Sequence, residues 1–230
     1  MKHSEFKTYK ADFRAVIRQV LAEAEPGRLD EAGFPAYSHP NPLINYLFWQ
    51  RLRKVMDYLE KDAPYQLTLD FGCGSGVMLP FLSRISARVI ALDVDLLPFE
   101  RVSRHRPFPP NLRVHDARQV TLKDLPPASF DRIIATDVLE HVEDLAGTLK
   151  DMQTLLRPGG QIVISGPTEN FFYQIGRKLA GPEYSGDYHE RGILEVRNLL
   201  AGQMQVIPIA TLYWPVPLFE VFAASLGQLH

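Results

Sequence analysis

The sequence predicts an α/β fold: a single Rossmann-like, doubly wound domain with helices on both faces of a mostly parallel sheet. Three observations carry this. From Leu67 onward, short apolar runs alternate with stretches of helical period. An apolar run, Leu67-Thr68-Leu69-Asp70-Phe71, goes straight into three glycines in five residues (Gly72, Gly74, Gly76) and then into a helical pattern. And 230 residues, 46% of them hydrophobic, suffice for one sizeable core and not for two. Strands that alternate with helices are joined by right-handed crossovers, which places helices on both faces.

The elements follow in order. Phe6, Tyr9, Phe13, Val16, Ile17, Val20 and Leu21 recur at three- and four-residue spacing and predict an amphipathic helix ending near Pro26-Gly27. Gly33–Pro42, with three prolines and with Phe34, Tyr37 and His39, reads as an exposed loop. A second helix follows, with Ile44, Leu47, Phe48, Leu52, Val55, Met56 and Leu59 on one face and Arg51, Arg53 and Lys54 elsewhere. Leu67–Phe71 is a strand, Val77–Ile85 a helix, Arg88–Asp93 a strand, Leu96–His105 a helix and Leu112–His115 a short strand. Phe130–Thr136 is the next strand and Val142–Leu156 a helix, which Arg157-Pro158-Gly159-Gly160 stops before a strand at Gln161–Ser165. Val206–Leu229 reads best as a core strand followed by a packed helix. Its three prolines would break a membrane-spanning helix.

Composition narrows the functional classes. A net charge of −2 offers no basic face for nucleic acid. The one cysteine, Cys73, excludes an internal disulfide and a zinc site built on several thiolates, and fits a cytoplasmic setting. No signal peptide and no transmembrane segment is read, although peripheral membrane contact stays open. No metal-ligand cluster stands out, so metal-independent chemistry is expected.

The glycine turn ends the first strand of the sheet, where doubly wound folds bind ligands. Glycine serves where the backbone takes positive φ or must approach a ligand without a Cβ. A dinucleotide fingerprint, G-x-G-x-x-G, would need glycine at position 77 or 79, which hold Val77 and Leu79. The pattern is instead G-x-G-x-G with Asp70 two positions ahead. That suits a ligand with an ammonium and no phosphate, such as S-adenosylmethionine.

With these residues the chain resembles the class I S-adenosylmethionine-dependent methyltransferases over roughly residues 62 to 165. The resemblance implies that Asp93, ending Val89-Ile90-Ala91-Leu92-Asp93, holds the ribose hydroxyls with Val94 beside it. It implies that Asp116 and Ala117, in Val114-His115-Asp116-Ala117, meet the adenine. Asp70, Gly72, Cys73, Gly74 and Gly76 would hold the methionine end, with Thr136 at the border of donor and acceptor. Ser129–Ile134 and Leu155–Gly160 match the segments leading into the family's fourth and fifth strands. The resemblance also implies a seven-stranded sheet ending in a reversed strand. Phe219–Leu226 is either that strand or a helix; a helix would leave six strands, or a sheet completed across a homodimer. Residues 1–61 would form a helical lid and residues 62–230 the methyltransferase domain.

Methyl transfer is a displacement at an activated carbon, so placing the nucleophile and excluding water is most of the task. A base is needed only where the acceptor must lose a proton. His141 and His189 are the candidate bases. Asp137 and Glu140 have capping-box spacing for the helix that follows. Tyr37, His39, Tyr188, His189 and Arg191 are the expected acceptor contacts, the last three from the polar–aromatic loop Tyr184–Arg191. Cys73 reads as a small filler. A small lipophilic or aromatic acceptor fits the aromatic N-terminal loop and the apolar C-terminal stretch. A silent, methyltransferase-like binding protein, monomeric or dimeric, is the other reading.

Overall fold

The computed structural model describes residues 1–23, 37–38, 41–168, 192–213 and 217–227. It opens with two helices, α1 (His3–Glu23) and α2 (Pro42–Leu59). α2 starts where the sequence says it can: Asn41 accepts the Leu43 N–H at 2.9 Å and Pro42 fills the first turn. Then come β1 (Tyr65–Phe71), α3 (Leu79–Ile85), β2 (Ser86–Asp93), α4 (Leu97–His105), β3 (Leu112–Asp116) and β4 (Phe130–Thr136). α5 (Leu145–Leu155), β5 (Leu156–Pro167), α6 (Ile193–Ala201), β6 (Gln205–Leu212) and β7 (Phe219–Ser225) complete the described elements.

The seven strands form one sheet in the order β3-β2-β1-β4-β5-β7-β6. β7 runs antiparallel between β5 and β6, while β1 to β5 are parallel. Alternation along the strands sorts the core into two layers. Tyr65, Val89, Ala91, Ile134, Val163, Val221 and Ala223 pack on the layer that holds α1, α2 and α3. Leu67, Leu69, Ile133, Ala135, Ile162, Ile164 and Phe222 face α5 and α6. The expected sandwich of helix, sheet and helix is present.

Five sequence expectations are corrected. Phe219–Ser225 is a strand and not a packed helix, so Val206–Leu229 supplies two strands. The reason is position: β7 lies between two neighbours and is buried on both faces, so its apolar run lacks the alternation that marks a strand. The helix predicted from Val142 begins at Leu145, with Asp144 accepting the Gly147 N–H at 2.9 Å. The predicted Asp137/Glu140 capping box does not form, because Asp137 takes a left-handed φ of +53° and its carboxylate is drawn elsewhere. Residues 139–141 make a single 3-10 turn. Tyr37, expected in an exposed loop, is 7% exposed; its carbonyl accepts from Asn45 Nδ2 at 2.6 Å and Trp49 Nε1 at 3.2 Å. Arg51, expected on the outer face of its helix, is 1% exposed.

Candidate active site

The carboxyl ends of β1, β2, β3 and β4 lie side by side, and the sequence motifs meet there. Register places Asp93 opposite Asp116, and Asp70 opposite Ala91 on one side and Ile134 on the other. The turn after β1 uses its glycines: Gly72, Gly74 and Gly76 have φ of +76°, +51° and +78°. A Cβ on Gly72 would stand 2.5 Å from Val138 Cβ, so only glycine lets the loop after β4 close down on the turn.

Asp93 fastens this turn. Its Oδ2 accepts the Gly74 N–H at 2.7 Å and its Oδ1 accepts the Asp95 N–H at 3.0 Å. A carboxylate offers about four lone-pair positions, so both oxygens keep acceptor capacity for vicinal hydroxyls. Asp95 in turn accepts the Leu97 N–H at 3.0 Å and opens α4. The Ala117 N–H donates to the Asp93 carbonyl at 2.8 Å. The Asp116 carboxylate is gripped by the Arg118 guanidinium at 2.7, 2.9 and 3.2 Å, which holds its pKa below the usual value. Val94 is 62% exposed beside them. A cleft of about 470 Å³ opens here, lined by Asp95, Leu97, Glu100, Val114, Asp116 and Arg118 among others.

Asp70 differs from the other carboxylates. It is 1% exposed, and among the described residues its Oδ1 has no hydrogen-bond partner. Burial, and then the charge of Asp93, push its pKa up to about 7. A buried, unsatisfied carboxylate beside the glycine turn suits a cationic ligand group. Cys73 is also buried, and burial followed by Asp70 and Asp93 raises its thiol well above the ordinary range. That is a filler's environment and the opposite of a nucleophile's.

The other side of the site is built from the segment after β4. Thr136 ends the strand opposite Ser165, and the Asp137 N–H donates to the Ser165 carbonyl at 2.9 Å. The Asp137 carboxylate forms an ion pair with Arg51, whose NH1 donates to Oδ1 at 2.6 Å. Burial raises the Asp137 pKa while Arg51, then His141, oppose it. The Arg51 guanidinium lies against a pair of rings that meet edge to face, 5.3 Å from the Phe48 centroid and 4.8 Å from that of Phe219. Glu140 is 4% exposed and belongs to the packing. His141 is exposed on the 3-10 turn. His39, Tyr188, His189 and Arg191 lie outside the described residues.

Sequence reasoning thus brought Asp70, the glycines, Asp93, Asp116, Ala117 and Thr136 to one edge of the sheet, and it missed Arg51. A signal was available: Arg51 is three residues after Phe48 and four before Val55, in register with the apolar stripe.

Comparison with known proteins agrees with this architecture. A family model described as a methyltransferase domain matches residues 45–214. A ubiquinone biosynthesis O-methyltransferase of Methylocella silvestris is 33% identical over 135 residues, covering 58% of this chain and 52% of the relative. One from Acinetobacter baumannii is 28% identical over 173 residues, covering 66% of this chain and 73% of the relative. The chain therefore spans about half the length of the first of these. Among solved structures, the N-methyltransferase NodS of Bradyrhizobium japonicum, in complex with S-adenosyl-L-homocysteine, aligns with a TM-score of 0.58 at 17% identity. That alignment covers 94% of this chain and 99% of NodS. The magnesium protoporphyrin IX methyltransferase of Synechocystis aligns with a TM-score of 0.59 at 15% identity, covering 94% and 100%. At these identities the structural likeness is one of fold. The chain belongs to the methyltransferase-domain family, and its sheet has the strand order of the class I branch.

Proposed function

We propose that this chain transfers a methyl group from S-adenosylmethionine to a hydroxyl of a small lipophilic or aromatic acceptor. The observation that carries the donor half is the buried Asp70 carboxylate with its unsatisfied Oδ1 beside the glycine turn. On this reading Asp70 pairs with the donor's ammonium, the Gly72–Gly76 backbone takes the methionine portion, and Asp93 receives the ribose hydroxyls. The cleft beside Val94, Asp116 and Ala117 takes the adenine. The bound donor supplies a methyl carbon activated by a positive sulfur. The chain's residues supply position, a dry surround and, for a hydroxyl acceptor, an acceptor for its proton. His141, exposed after Thr136, is assigned that proton, because a ring nitrogen of imidazole can accept one.

The hydroxyl acceptor is supported by the two relatives named as O-methyltransferases. Residues 1–61 are assigned as the lid and 62–230 as the catalytic domain; the Tyr9 hydroxyl, from α1, donates to the Val77 carbonyl directly after the glycine turn. His39, Tyr188, His189 and Arg191 complete the acceptor side in this proposal, while Tyr37, expected there too, is 7% exposed, with its hydroxyl near Arg51. The lone cysteine accords with a cytoplasmic site of action.

Calorimetry with S-adenosylhomocysteine and with nicotinamide dinucleotides tests the donor. Binding of the first and not the second is expected; the reverse sinks the proposal. Methyl transfer from labelled donor to a panel of catechols, phenols and amines then tests the acceptor, with label expected on oxygen. A labelled amine and an unlabelled phenol would overturn the hydroxyl assignment.

A further inference from the structure

The ion pair between Arg51 and Asp137 joins segments 86 residues apart, and no feature of the donor motifs calls for it. Four pieces of the chain meet on this guanidinium. α2 carries Arg51 and Phe48, β7 begins with Phe219, the segment after β4 brings Asp137, and Tyr37 lies close enough for its hydroxyl to feel the charge. An arginine at 1% exposure is costly to bury unless its charge is matched, and the Asp137 carboxylate matches it here.

What the pair holds is the stretch that covers the glycine turn. Asp137 sits at φ +53°, a conformation that few residues other than glycine adopt without support. Its N–H is fixed to the Ser165 carbonyl and its carboxylate to Arg51, so both ends of the residue are tied. The next residue, Val138, is the one that lies over Gly72 with no room for a Cβ between them. Any rotation of Asp137 would therefore lift Val138 from the turn that the donor reading assigns to the methionine portion.

We infer that Arg51 is a positioning residue for donor binding: through Asp137 it clamps Val138 onto the glycine turn and so couples the N-terminal helices to the donor site. This rests on the proposed donor. The test measures S-adenosylhomocysteine affinity by calorimetry, well below the melting temperature, for the parent chain and for Arg51→Met, Arg51→Lys and Asp137→Gly. A turn that is binding-competent only part of the time loses affinity in proportion to that fraction. Arg51→Met is accordingly expected to weaken binding by at least about tenfold. Arg51→Lys should fall between that and the parent, since an ammonium keeps the charge and loses the two-nitrogen fork. Asp137→Gly removes the carboxylate while relieving the left-handed backbone. It also leaves the buried Arg51 without its carboxylate, so its melting temperature should fall, and below that temperature the folded variant should bind as weakly as Arg51→Met.

A purely structural role would lower the melting temperature and leave the affinity of the folded protein at the parent value; that result overturns the inference. If Arg51→Met does not fold, Asp137→Gly decides by the same criterion. A parent chain that takes no S-adenosylhomocysteine overturns the donor reading and the clamp together, whereas a parent that binds and variants that bind equally well overturn the clamp alone.

Discussion

The two halves of the site are built differently. Around the donor turn, polar groups find partners at shorter range: Asp93 with Gly74, 19 residues before it, and with Asp95, Asp95 with Leu97, Asp116 with Arg118. On the opposite side the partners come from far apart. Arg51 reaches Asp137 across 86 residues, and the Tyr213 hydroxyl donates to the Leu47 carbonyl across 166. A ligand common to a whole family can be held by a compact local motif. A surface that shapes one acceptor is free to draw on whichever segments the fold brings to that edge.

The sharpest way to separate the halves is His141→Gln. Donor affinity should stay at the parent value while kcat for a hydroxyl acceptor falls by about 10²- to 10⁴-fold, the usual contribution of a general base. Unchanged kcat would leave the exposed His141 without a part in the chemistry. Asp93→Ala attacks the other half. It removes the acceptor for two backbone N–H groups and, on the proposed reading, for the ribose, so calorimetry should show S-adenosylhomocysteine affinity reduced on the order of 100-fold. A loss under threefold would contradict the ribose assignment.

Gly72→Ala tests where the halves touch. The added Cβ collides with Val138 in a positive-φ backbone, so urea unfolding should show a loss of about 1–3 kcal/mol, with weaker donor binding besides. A variant as stable as the parent would mean the contact yields freely.

Asp70 gives a smaller, pH-dependent signature. Its pKa rises from 3.8 to about 7 on folding, so between those values the folded chain holds a proton that the unfolded chain has lost. Stability of the free protein therefore falls as pH rises from about 4 to about 7. A cationic ligand group favours the ionised form, so S-adenosylhomocysteine binding should tighten by about tenfold over the upper part of that interval. Asp70→Asn should flatten both profiles. A parent whose affinity is level between pH 6 and pH 8, in roughly the range where the acid titrates, would separate Asp70 from the ammonium.

Much of the fold could be read from the residues because its signals are local. The run from Leu67 into the glycines and the acidic ends of β2 and β3 each depend on neighbours a few positions away. β7 could not be read that way, since burial on both faces erases the alternation that separates strand from helix. Nor could Asp137. Its spacing to Glu140 matches a capping box, and the competing partner that draws its carboxylate away stands on another helix.

The sequence by itself determined the donor side: the G-x-G-x-G turn, the exclusion of a dinucleotide by Val77 and Leu79, and the carboxylates at positions 70, 93 and 116. Turn geometry and strand-end chemistry are short-range, and each of the three strands carries its own signal at its carboxyl end. Only the tertiary structure decided that β7 closes the sheet, that Tyr37 and Arg51 are buried, and that Asp137 answers to Arg51. Those outcomes depend on which distant segments compete for a buried charge, and spacing along the chain carries no record of that competition.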